Sequence, residues 1–306
     1  MKKTALTVIA LAACLTARPG LCADKTGTGT AGFLKLPVDA RSAALGGGSA
    51  APAPGGLSLF RNPASLAVNA SPAFAFGHAM LVEDLSYDVL GAAVPLGGGV
   101  LGAGAQYLRY GSMDSLDNTG APAGSLSPRD SAAALGYGLE LGEDIFAGAA
   151  VRQISSRISG SASTLSLDLG LAMNGDEVNV GVAAQNMGKG LKFNKEESPL
   201  PVNVKLGAVI HYSERWQWLL DFNFPKDART WVGAGAEYAI ARGAGWALFG
   251  RAGYSTEALD TKELNGLTAG FGLSRGNISI DYAFRTMGML GSTHHLGLNY
   301  GLGKAE

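Results

Sequence analysis

The chain has 306 residues, a formal net charge of −1 and 45 glycines, about twice the usual share. Only 16% of its residues are charged, against about 25% in ordinary soluble domains. Neither a basic nor an acidic field is present, which excludes nucleic acid as a partner on charge grounds.

The N-terminus MKKTALTVIALAACLTARPGLCA carries Lys2 and Lys3, an apolar run from Ala5 to Leu15, a break at Pro19-Gly20 and the small residue Ala23. That order of features reads as a secretory signal over residues 1–23, with the mature chain starting near Asp24. A rival reading takes Leu11-Ala12-Ala13-Cys14 as a lipoprotein processing box, with Cys14 the lipidated first residue. Both cysteines, Cys14 and Cys22, lie in this leader, so an exported chain cleaved near Ala23 has no thiol to oxidise. No later run reaches the ~18 apolar residues of a membrane helix, so entry into a membrane would have to be as a barrel.

Residues 24–71 lack period-two alternation and form a lead and a candidate plug. Val38 to Leu45 reads as a short helix ended by Gly46-Gly47-Gly48, and Asn62-Pro63-Ala64-Ser65-Leu66 starts another with Pro in its first turn.

From residue 72 to 303 the period is two, with strands predicted at 73–81, 86–96, 99–108, 131–142, 144–154, 163–174, 177–186, 202–213, 215–225, 230–241, 245–256, 266–274, 276–285 and 293–302. In the first three, glycine and alanine occupy both faces and leave the phase open. The stretch LSLDLGLAMNGDEVNVGVAAQN is the clearest hairpin, two alternating runs joined at Asn174-Gly175, where both residues tolerate positive φ. Long connections (109–130, 155–162, 187–201, 257–265, 286–292) alternate with short ones (97–98, 142–143, 174–176, 213–214, 242–244, 275–276). Such alternation around an even strand count marks a bacterial outer-membrane barrel, with short periplasmic turns and long outer loops.

The fold expected is therefore all-β, a fourteen-stranded antiparallel transmembrane barrel with a short helical plug in the lumen. Leu135, Tyr137, Leu139, Leu141, Trp216, Trp218, Phe271 and Ile280 are among the residues assigned to lipid. Glu140, Arg152, Asp168, Lys205, Asp221, Glu237, Arg251, Asp281 and Arg285 are assigned to the lumen, because an uncompensated charge on the lipid face costs ~2–4 kcal/mol at the bilayer midplane. Their mixed signs suit ion-paired walls around a plug better than an ion-selective pore. Fourteen strands enclose more space than inward side chains fill, since about eight already give a packed interior. Phe33, Leu34, Arg41, Leu59, Phe60, Asn62 and Pro63 are the plug residues expected at a ligand pocket. A solute channel would need an apolar pocket at Phe33, Leu34, Leu59 and Phe60, opening sideways through a break between strands.

Gly32-Phe33-Leu34-Lys35-Leu36, Ala40-Arg41-Ser42-Ala43-Ala44-Leu45-Gly46-Gly47 and Asn62-Pro63-Ala64-Ser65-Leu66-Ala67 resemble the opening of the PorV/PorQ family of outer-membrane proteins, relatives of the long-chain fatty acid transporter barrels. This chain departs from that family in Ala50 to Gly56, where acidic residues are usual, and at Arg61, where an aromatic is usual. The resemblance implies a plugged barrel that carries newly secreted cargo proteins, as in type IX secretion, or passes small hydrophobic molecules into the bilayer. The final run His295 to Leu302 resembles the last-strand signal read by the barrel-assembly machinery, although Lys304-Ala305-Glu306 follows it.

Catalytic chemistry finds little footing. His294 and His295 are adjacent and point to opposite faces of a strand, so they cannot chelate one metal. His211 and Ser213 have the spacing of the pair in lipid A deacylase barrels, but fall at a short periplasmic hairpin, away from the outer leaflet. No cofactor is expected.

Overall fold

The computed structural model describes residues 29–117, 119–158, 160–258 and 265–302; the residues read above as a leader, with Cys14 and Cys22, and those after residue 302 lie outside them. Among the described residues the strands are β1 (Ala73–Met80), β2 (Ser86–Leu96), β3 (Gly99–Arg109), β4 (Met113–Leu116), β5 (Pro122–Leu126), β6 (Arg129–Gly142), β7 (Ile145–Arg157), β8 (Ser161–Met173), β9 (Val178–Gly188), β10 (Leu191–Phe193), β11 (Glu196–Ser198), β12 (Asn203–His211), β13 (Trp216–Pro225), β14 (Trp231–Gly243), β15 (Trp246–Ser255), β16 (Leu267–Arg275), β17 (Ile278–Thr286) and β18 (Ser292–Gly301).

Fourteen of these close an antiparallel barrel in the order β1-β2-β3-β6-β7-β8-β9-β12-β13-β14-β15-β16-β17-β18, and β18 returns to β1. The remaining four make two small hairpins, β4-β5 and β10-β11, within the long connections after β3 and β9. Alternation sets the register, since a one-residue slip would turn every Leu of β8 inward. Leu165, Leu167, Leu169 and Leu171 all lie exposed on the outer face, while Ser166 and Asp168 between them are buried. Leu135 is 58% exposed and Phe271 52%, a degree of exposure that suits contact with lipid rather than a protein core. Trp216 stacks on Trp218 at 5.8 Å between ring centroids, forming an aromatic group at the short-turn end of the outer face.

Two expectations are corrected. The junction after β8 is one residue longer than the expected Asn174-Gly175-Asp176 turn and lacks the positive φ expected of Asn174 and Gly175. Residues 174–177 separate β8 from β9. The Asn174 amide instead donates to Asp144 O at 2.9 Å, tying this loop to the neighbouring turn. The sideways break is also absent: each of the fourteen neighbouring pairs is hydrogen-bonded, and the wall departs from even register only in bulges at Leu167/Leu169, Ala239/Ala241 and Glu140/Gly142. At the first bulge Asn186 takes the extra place with φ 60°, a left-handed conformation that Asn tolerates.

Candidate functional site

The site is the lumen, filled by residues 31–69. The inner segment is built from short pieces: a 3₁₀ turn Gly32–Lys35, a helix Ala40–Ala44, a helix Ser58–Arg61 and a 3₁₀ turn Pro63–Leu66. Asp39 caps the first helix, its Oδ1 accepting from the Ser42 amide at 2.7 Å. Asn62 caps the last turn, its Oδ1 accepting from the Ala64 amide at 3.0 Å, with Pro63 at the first position as the sequence predicted.

The wall explains the excess of glycine. A Cβ at Gly235 would stand 2.7 Å from Leu45 Cα, one at Gly253 2.5 Å from Gly46 N, one at Gly77 2.9 Å from Val38 O, and one at Gly138 2.8 Å from Ala67 N. These glycines lie on strands from several sides of the barrel, so the inner segment's backbone rests directly against the wall's backbone where a side chain would hold it off. Gly46, with φ 79°, bends the segment away after its first helix, in a space too tight for a Cβ.

Side chains then tie segment to wall. Asn62 is fully buried, and its Nδ2 donates to Ala50 O at 2.8 Å and, at 3.3 Å, to the carbonyls of Leu171 on β8 and Val182 on β9. Gln185 on β9 donates to Phe60 O at 2.9 Å, closing the C-terminal end of the second helix. Arg41 forks onto Glu237 of β14, with Nε to Oε2 at 2.9 Å and Nη2 to Oε1 at 3.0 Å. Glu237 also accepts from Arg251 Nε at 2.6 Å, and Arg251 Nη1 reaches Asp281 at 2.6 Å. Four alternating charges thus run from the inner segment across β14, β15 and β17.

Of the other predicted lumen charges, Arg152 pairs with Asp168, and Asp168 Oδ1 accepts from the amide of the bulge residue Asn186 at 2.7 Å. Asp221 Oδ2 accepts from the amides of Ser49 and Ala50 at 3.1 and 3.2 Å, and Lys205 Nζ donates to Ser49 Oγ at 3.3 Å. Arg285 lies 3.6 Å from Glu257. Glu140 keeps inward parity, as assigned, but sits beside the bulge at the short-turn end and is exposed rather than enclosed.

The predicted pocket residues also find a different setting. Phe33, Leu34, Leu59 and Phe60 are buried in one apolar cluster with Tyr87, Val89 and Ile154 of the wall and Leu191 and Leu200 of the long connection after β9. They fill the lumen instead of lining a chamber. A crevice bordered by Leu34 and Phe60 measures about 30 Å³, room for a water and not for a ligand. The large cavity, about 650 Å³, opens at the short-turn end and is bordered by Asp39, Arg41, Arg61, Arg251 and Asp281. Arg61, the departure from the expected aromatic, holds the carbonyls of Ala53 and Pro54 at 2.7 and 3.1 Å and lies 3.6 Å from Asp39.

The roles of Asp39, Gln185 and Asn186 escaped sequence reasoning; inward parity was an available signal for Gln185, whereas Asn186 has outward parity and is turned in only by the bulge, and the partners of all three are set by tertiary contact. Ser213 Oγ accepts from the amide of Trp216 at 3.2 Å and braces its turn. His294 and His295 do face opposite sides: Nδ1 of the first meets Tyr282 OH at 2.7 Å, and the second is buried beside Thr293.

In the long connection after β3, burial and then the hydrogen bond to Asp130 push the Tyr110 phenol above its ordinary range. Asp117 is held below the usual carboxylate value by the Thr119 hydroxyl at 2.7 Å and by the amides of Ala121 and Thr119 at 2.9 and 2.8 Å.

The closed fourteen-strand barrel is similar in fold to solved transporter barrels. The solved structures sharing it include the Pseudomonas putida toluene transporter TodX, with TM-score 0.57 and 15% identity over 84% of this chain and 95% of that one. They also include the Ralstonia pickettii toluene transporter TbuX, with TM-score 0.60 and 15% identity over 88% and 98%. A Pseudomonas aeruginosa FadL homologue gives TM-score 0.57 and 11% identity over 87% and 98%. No protein-family profile and no curated protein matches the sequence. The likeness is one of fold, and it falls on FadL-type barrels; nothing found supports the resemblance to PorV/PorQ.

Proposed function

We propose that this chain is an outer-membrane channel for small hydrophobic molecules, seen in its closed state. The observation that carries the reading is the filled lumen in this particular barrel: a fourteen-strand wall, an N-terminal segment packed inside it, and a likeness to toluene transporters over nearly their whole length. The charges support it, because they are paired with one another or with the inner segment and leave no ring of one sign to conduct ions. The apolar cluster runs from Leu191 and Leu200 of an outer connection past Phe33 and Leu34 to Leu59 and Leu66, a continuous apolar path that a hydrophobic solute would follow if the inner segment shifted. Transport then requires that shift, since the wall has no break and the apolar path has no void.

Mass spectrometry of small molecules retained by the barrel after mild detergent extraction tests this. A bound fatty acid or hydrocarbon supports the channel. Co-purifying secreted proteins without such a molecule would replace it with the cargo-carrier role.

A further inference from the structure

Three arginines stand side by side on the outer face, at the long-loop end. Arg109 of β3 is the register partner of Arg129 of β6, and Arg129 is the register partner of Arg157 of β7. All three are exposed, and each lies beside an inward residue that is buried: Leu108, Asp130 and Ser156. Like charges placed directly opposite across a ladder repel and destabilise the pairing. Arg109 is partly answered by Asp88, at 2.8 Å, which also meets His78 at 2.7 Å. Among the described residues, Arg129 and Arg157 have no hydrogen-bond or ion-pair partner.

The rows beneath show what such a cluster faces. Two residues closer to mid-barrel, the same three strands present Tyr107, Ser131 and Ser155 in register. Six residues from the arginines, about 20 Å along the strands, they present Ala103, Leu135 and Val151. Charge, then hydroxyl, then a row of Ala105, Ala133 and Gln153, then hydrocarbon is the order met by a lipid standing against the wall, with its head at the arginines and its chains at the apolar rows.

We infer that Arg109, Arg129 and Arg157 form a binding site for the phosphate group of an outer-leaflet lipid. Arginine suits this occupant because its fork of donors matches phosphate oxygens, and one phosphate between two guanidinium groups removes the repulsion that the bare wall carries. The inference rests on the membrane placement proposed above, with the long loops outside, but not on transport activity.

Native mass spectrometry of the purified full-length barrel in a neutral detergent tests it, with diphosphoryl lipid A as probe and the dephosphorylated lipid and sodium phosphate as comparisons. The expected result is a one-to-one adduct with the phosphorylated lipid. At about fivefold per basic residue near a lipid surface, Arg129→Ala with Arg157→Ala should weaken it about thirtyfold. Arg129→Lys with Arg157→Lys keeps the charge without the fork and should restore only part of the loss. Both side chains are exposed, so the variants should keep the heat-modifiable gel band that reports a folded barrel. Equal binding of the dephosphorylated lipid, or unchanged binding by the alanine variant, would overturn the site. Full displacement of the lipid by equimolar sodium phosphate would overturn the lipid assignment and leave a bare phosphate site. Epitope tags in the connection after β3 check orientation separately, so a failed lipid assay is not confused with a wrong membrane placement.

Discussion

Replacing Asn62 with alanine should loosen the inner segment without opening the wall. The side chain is fully buried; its Oδ1 accepts from the Ala64 amide, and its Nδ2 donates one hydrogen to the Ala50 carbonyl while those of Leu171 and Val182 share the other. Alanine leaves the Ala64 amide and the Ala50 carbonyl without these partners. An orphaned buried group costs about 1–3 kcal/mol and a lost cap about 1 kcal/mol, so about 2–4 kcal/mol is expected in all. At 1.4 kcal/mol per factor of ten, the opened population of the segment should rise between about 30-fold and about 700-fold. Hydrogen exchange followed by mass spectrometry in detergent reads this directly at peptides covering 58–66, while peptides from β13 to β17 serve as the unchanged reference. Gly170→Ala supplies the control, because a methyl there would collide with Asn62 Oδ1. Its effect should fall by at least half in the Asn62→Ala background, the non-additivity expected of two groups in contact. Unchanged protection at 58–66 in Asn62→Ala, or strictly additive effects of the two substitutions, would refute the idea that Asn62 locks the segment to the wall.

Glu237→Gln removes the carboxylate shared by the half-buried Arg41 and the buried Arg251, which keeps only Asp281, so a loss of up to about 3 kcal/mol should appear as a lower heat-modification temperature on gels. The turn at Asp117 should be sensitive to acid. Because its folded pKa is depressed, the turn's stabilisation is present above the ordinary carboxylate value and lost as pH falls through the lower folded value. Amide signals of Thr119 and Ala121 followed by NMR should therefore change below the ordinary carboxylate value, and a midpoint at or above it would contradict the assignment. Epitope tags within 188–190 should be accessible on intact cells and tags at 174–177 should not; the reverse pattern would invert the barrel.

The wall was legible because each strand writes its two environments into alternate residues. β8 did so without ambiguity, Leu outside and Ser166 and Asp168 inside. β7 runs three residues past its predicted end because Ser155 and Ser156 are both polar and hide a phase that the register retains, one facing out and one in. The inner segment was legible as a break in period and as two helix starts, since caps and Pro63 are local signals. Its contacts were not. That Gly235 and Gly253 face Leu45 and Gly46 depends on which strands the segment crosses, and excess glycine alone could not say so. Phe33 and Phe60 were read as pocket walls because an aromatic lining a void and an aromatic filling one have the same sequence. The arginines on β3, β6 and β7 were missed for a related reason: they are distant in sequence, and only the register sets them side by side.

Uptake of radiolabelled toluene and oleate, compared with sucrose, by cells producing the full chain and by matched cells lacking it, tests the proposed channel most directly. The hydrophobic solutes should enter faster in cells with the chain, while sucrose should not, because the lumen is filled and its charges are paired. Unchanged entry of both hydrophobic solutes, or faster entry of sucrose, would contradict a channel for small hydrophobic molecules.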